Sequence, residues 1–110
     1  MGTSIPPVAT ACPRPADNLI VSSQVLRAAV RQNNQGVQSA ATDVNGTVTN
    51  RSGWVISNLR VTLGSFGQAS LTQTSLSPGQ SATFGLTVEG ELSSITPILE
   101  WSWVLPPGCR

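Results

Sequence analysis

Apolar and polar residues alternate with a period of two over several short stretches of this chain. Val44, Gly46 and Val48 alternate with Asn45, Thr47 and Thr49; Leu59, Val61 and Leu63 with Arg60, Thr62 and Gly64; Phe84, Leu86 and Val88 with Thr83, Gly85 and Thr87. A strand points successive side chains to opposite faces, so this is the pattern of a strand with one face buried. Ala69, Leu71 and Gln73 begin a shorter stretch of the same kind. The last runs from Ile98 to Val104, with Leu99, Trp101 and Trp103 on one face and Ile98, Glu100, Ser102 and Val104 on the other. Turn formers separate these stretches: Asn50-Arg51-Ser52-Gly53, Ser65-Phe66-Gly67-Gln68, Leu76-Ser77-Pro78-Gly79-Gln80 and Glu89-Gly90-Glu91. Short strands with turn signals about every 8–12 residues predict an all-β, antiparallel, immunoglobulin-like sandwich of about six to eight strands. Strands do not alternate with long helical segments, which excludes an α/β architecture.

Residues 19–32 read two ways. Val21, Val25, Ala28 and Ala29 share one helical face, yet the stretch is rich in β-branched residues, and Ser22-Ser23 suits a helix interior poorly. A strand is the favoured reading, closed by the polar run Arg31-Gln32-Asn33-Asn34-Gln35-Gly36. Before it, Pro6, Pro7, Pro13 and Pro15 predict an extended arm over residues 1–18, leaving residues 19–110 as the sandwich. Pro106-Pro107-Gly108-Cys109 mirrors that arm at the other end.

At 110 residues the chain fits one domain. Only 10% of residues are charged, against about 25% in a typical soluble protein. The solvated surface must therefore come from Ser, Thr, Asn and Gln. The net charge is +1, and the cations, all Arg, are scattered at positions 14, 27, 31, 51, 60 and 110. Nucleic-acid binding needs clustered cations to displace counterions, so no nucleic-acid partner is expected. No apolar run approaches the about 20 residues of a membrane span. The first eleven residues have neither the basic nor the apolar region of a signal peptide. Cys12 and Cys109, near opposite ends, predict a disulfide that staples the termini in an oxidising environment; the alternative is two free thiols in a reducing one.

Two motifs carry a family resemblance. The segment from Val44 to Gly53, followed by Val55 and Asn58-Leu59-Arg60-Val61-Thr62-Leu63, is one; Leu76-Ser77-Pro78-Gly79-Gln80-Ser81-Ala82-Thr83-Phe84 is the other. Together they resemble the immunoglobulin-like accessory domains of bacterial envelope proteins, of FxLyD and CARDB type. The resemblance covers about 40–60 residues of the middle of the chain. It departs from the first family in lacking the Phe-x-Leu-Tyr-Asp signature, since the chain has no Tyr. It implies a non-catalytic accessory or interaction module outside the cytoplasm.

The chemistry agrees with that implication. The chain has no His and no Lys, which removes the commonest general base, the commonest metal ligand and the Schiff-base nucleophile. The carboxylates are Asp17, Asp43, Glu89, Glu91 and Glu100. Glu89 and Glu91 flank Gly90 in a turn, where a solvated role is expected in place of a catalytic pair or a calcium site. No catalytic residue, cofactor or metal is expected. Trp54, Trp101 and Trp103 are the candidate interface or ligand residues, because aromatics on a sheet face anchor protein interfaces or stack on sugar rings. The bland alternative for Trp101 and Trp103 is core packing; Trp54, beside a turn, is better placed to be exposed. The expectation is a structural or interaction protein with a protein partner or self-assembly. It would be an accessory module of an envelope or secreted protein, or a virion or surface-layer component of decoration type whose arm reaches onto a neighbour. The alternative is a carbohydrate-binding module that meets a polysaccharide through its tryptophans.

Overall fold

The computed structural model describes residues 12–109. Most of the expected arm, residues 1–11, and Arg110 lie outside the described residues.

Among the described residues, six strands form two antiparallel sheets. The first sheet has the order β1-β2-β5-β4: β1 is Ile20–Gln32, β2 Gln38–Asn50, β5 Ser81–Glu89 and β4 Ser70–Leu71. The second holds β3, Val55–Thr62, beside β6, Ile98–Val104. Single bridges, Ile56 to Leu76 and Thr62 to Gln68, extend it on the far side of β3. The strand order matches the four-stranded sheet of an immunoglobulin constant-type sandwich and two of the three strands of its partner sheet. The strand that would lie outside β6 in that layout has no counterpart among the described residues.

Residues 19–32 are strand from Ile20 onward. Every residue of β1 has a partner in β2, from Ile20 opposite Asn50 to Gln32 opposite Gln38. A helix would have placed Val21 and Val25 together on the core, but Val25 is 60% exposed on the outer face and Leu26 packs inward. The polar run closes the hairpin by side-chain chemistry. Asn33 Oδ1 accepts the backbone N–H groups of Gln35 and Val37, both at 2.9 Å, and Gly36 supplies a left-handed residue at φ 77°.

The core lies between the sheets. Val44, Val48, Ala82, Phe84 and Val88 come from the larger sheet; Ile56, Leu59 and Val61 come from β3. A bulge keeps the second set inward. The β3–β6 register shifts between Ser57 and Arg60, where Asn58 takes φ 53°, a conformation Asn tolerates better than most residues. The extra residue changes the parity of the strand. Ile56 upstream and Leu59 and Val61 downstream therefore all face the core, while Val55 turns outward.

Gly46 sits between Gln24 of β1 and Phe84 of β5. A Cβ there would overlap both the Phe84 ring and the Ser23 carbonyl, so the bare backbone is what lets Phe84 lie flat on the sheet. Beyond the end of the sandwich where β1 begins and β6 ends, Cys12 and Cys109 are joined by a disulfide with a Cα–Cα distance of 5.3 Å. Their sequence separation is 97, so the bond closes a loop of nearly the whole described chain and constrains the unfolded state strongly.

Gly46→Val is expected to destabilise the fold by about 1–3 kcal/mol through overpacking. Gly85→Ala should cost far less, because its new methyl would crowd only the movable Asn45 side chain and meet the Val44 carbonyl at ordinary contact distance. Urea denaturation of the two variants checks the contrast.

Candidate functional site

The three tryptophans come together. Trp101 and Trp103 project from the same face of β6, as the alternation predicts, and both pack half-buried against the edge of the core. Their ring centroids are 5.8 Å apart with planes at 89°. Trp54 joins from the β2–β3 turn, 6.3 Å from Trp103 and again edge to face. The Trp103 indole N–H points to Asp17 Oδ1 at 3.4 Å, which brings the segment before β1 up to the cluster. Perpendicular packing of this kind is the favoured aromatic geometry in an interior. Neither contacting pair is coplanar.

Trp54 is held by a buried polar network that centres on Asn50. The Asn50 side chain donates from Nδ2 to the carbonyls of Trp54 at 2.7 Å and Leu76 at 3.0 Å. Its Oδ1 accepts the Ser52 N–H at 2.9 Å and lies 2.6 Å from Ser52 Oγ. Ser52 Oγ in turn accepts the Trp54 N–H at 3.2 Å. The backbone of Asn50 bonds Gln80 and Gly79. One fully buried amide therefore ties the end of β2, the turn before β3 and the 76–80 turn together. Sequence reading placed Asn50 in an ordinary surface turn and missed this role. The available signal was the Asn-x-Ser spacing, since Asn side chains commonly cap the backbone two residues on.

Tryptophans and core meet at an open side of the sandwich. The edge strands β1 and β6 both lie there, and the 90–97 connection crosses between them. Thr42 Oγ1 donates to Gly90 and accepts from Leu92, while Gln24 Nε2 donates to Ile95. The outer edge of β6 has no hydrogen-bonded partner among the described residues. The direction of its backbone groups follows from β3. Ile56 spends its N–H and C=O on Leu76, away from β6, and the Val61 carbonyl accepts from Ala69 in the same direction. Opposite Ile56 is Trp103, and opposite Val61 is Leu99. In an antiparallel ladder, facing residues that do not bond each other both point away. Leu99, Trp101 and Trp103 thus aim their N–H and C=O groups outward from the edge, while their side chains lie against the core.

A second surface is the outer face of the larger sheet, a shallow, open groove of about 740 Å³ floored by Gly46 and Gly85 and rimmed by Ser23, Asn45, Ser70 and Thr83. Asp43 beside it accepts a hydrogen bond from Thr87 Oγ1 at 2.5 Å. The remaining sequence candidates are dispersed: Glu89 pairs with Arg31 at 3.9 Å, and Glu100 with Arg60 at 3.6 Å, both exposed. No helix of the described residues is long and apolar enough to cross a membrane. The disulfide between Cys12 and Cys109 is compatible with an oxidising compartment.

Compared with known proteins, the chain matches no family model, no curated protein and no solved structure.

Asn50→Ala should cost about 1–3 kcal/mol, because the buried Ser52 N–H loses its acceptor while the Trp54 and Leu76 carbonyls each lose one of two donors and keep Ser52 Oγ and the Ile56 N–H. The tryptophan emission of the folded variant should shift to the red as Trp54 loosens. Chemical denaturation and fluorescence spectra check both.

Proposed function

We propose that this domain is a non-catalytic interaction subunit that docks other proteins by strand addition on its open side. The observation that carries this reading is the outer edge of β6. Three alternate residues, Leu99, Trp101 and Trp103, present unbonded donors and acceptors above half-buried apolar side chains. An extended segment laid along such an edge gains main-chain hydrogen bonds and covers the exposed side of the core in one step. The disulfide-joined ends favour a setting outside the reducing cytoplasm. The domain is then an accessory module of an envelope or secreted protein, or a decoration-type component of a virion or surface layer. The resemblance to envelope accessory sandwiches supports the first of these, and the low charge supports a durable surface in either.

A carbohydrate-binding role has less support. Trp103 stands at 89° to both Trp54 and Trp101, so neither contacting pair offers a polysaccharide a flat two-ring platform.

The test is to map backbone amide and indole resonances while adding two probes: extended peptides selected from a displayed library, and a panel of soluble polysaccharides. Strand addition predicts peptide-induced shifts along β6, largest at Leu99, Trp101 and Trp103. Polysaccharide-induced shifts at the Trp54, Trp101 and Trp103 indoles, with no response to any peptide, would overturn the reading in favour of sugar binding.

A further inference from the structure

We propose that the occupant of the β6 edge is a second copy of the same strand, paired antiparallel about a twofold axis at Trp101. The proposal rests on the strand-addition reading and names its partner.

The sequence of β6, Ile98-Leu99-Glu100-Trp101-Ser102-Trp103-Val104, is close to self-complementary about its centre. Antiparallel pairing centred on Trp101 sets Trp101 against itself and Leu99 against Trp103 of the second copy. These are the residues whose N–H and C=O groups point outward. Every outward donor from Leu99 to Trp103 therefore meets an outward acceptor, and the pairing closes as a symmetric contact. Pro97 has no N–H to give, which ends the ladder at Leu99.

The side chains select the same register. On the outer face, Ile98 meets Val104, both exposed in the single chain at 54% and 40%. Glu100 meets Ser102. Sliding the pairing by two residues in one direction would set Glu100 against Glu100, a like-charge pair, and in the other direction would leave Leu99 without a partner within the strand. On the inner face the half-buried tryptophans of the two copies adjoin, and aromatic pairs across strands are favourable. The other long edge is a poorer choice for self-pairing. β1 carries Arg27 and Arg31 with no acidic residue of its own, so a second β1 would bring cations together.

The arm is a poorer occupant as well. Pro6, Pro7, Pro13 and Pro15 each remove a ladder donor and favour polyproline geometry over a strand.

Ser102 is solvent-exposed and faces away from the core, so substitutions there keep the fold and report on the contact. In the proposed register each copy's residue 102 sits opposite Glu100 of the other. Ser102→Glu should weaken self-association about tenfold by like-charge pairing, and Ser102→Arg should strengthen it by a similar factor. Light scattering after size exclusion, over a concentration series without reductant, reads both. A dimer that responds with these opposite signs supports the proposal. A dimer indifferent to both substitutions would overturn it and place the contact elsewhere. A monomer at all concentrations that still takes up extended peptides along β6 would remove the second copy as occupant and leave strand addition standing. A monomer that takes up no peptide would end both.

Discussion

A two-stranded sheet cannot cover a four-stranded one. That mismatch governs most of what is unusual in this molecule. The larger sheet presents Val44, Val48, Ala82, Phe84 and Val88 to the core, and among the described strands β3 and β6 roof it. On one side the roof is extended by irregular chain, with Leu76 and Ala69 bonding to β3 as a partial third strand. On the other side no strand among the described residues takes that place. There the roof is made by large aromatic side chains, by the 90–97 connection and by the segment before β1. The tryptophans thus cover the side on which the described residues supply no third strand. Trp103 packs perpendicular to both Trp54 and Trp101, and the backbone groups of Trp101 and Trp103 face out from the edge.

Local chemistry makes this architecture workable. Asn50 replaces several separate turn contacts with one buried amide that satisfies carbonyls from two loops. The cost of burying it is offset because each of its polar atoms has a partner. The bulge at Asn58 lets an eight-residue strand keep both of its halves on the core. Gly46 gives Phe84 the thickness it needs. Each device is a single residue, and each acts on the same problem of closing a core with few strands.

Much of this was legible in the sequence. Strict alternation marked β5 and the downstream half of β3, and in β6 both the span and the faces of the tryptophans were correct, because a half-buried strand leaves the clearest periodic trace. The placement of Cys12 and Cys109 at the two ends favoured a bridge and left free thiols open; the structure joins them. Other features left little trace. β2 begins at Gln38, well before its alternating part, because the hairpin tip projects past the core and has no face to bury. Residues 19–32 carried a helical alternative beside the favoured strand for the same reason: most of β1 is exposed on an edge. Asn50 was hidden inside a motif that reads as a surface turn, and the free edge of β6 is a property of sheet order, which periodicity does not encode.

How this domain docks depends on which backbone groups of β6 face outward and what meets them. Amide hydrogen exchange along that strand, measured on concentrated and on dilute protein, tests this most directly. Glu100 and Ser102 bond β3 and should exchange slowly in both samples. Leu99, Trp101 and Trp103 should be protected in the concentrated sample and exchange fast on dilution, as the second strand leaves. Fast exchange at these three residues at every concentration, or protection that ignores concentration, would contradict the account.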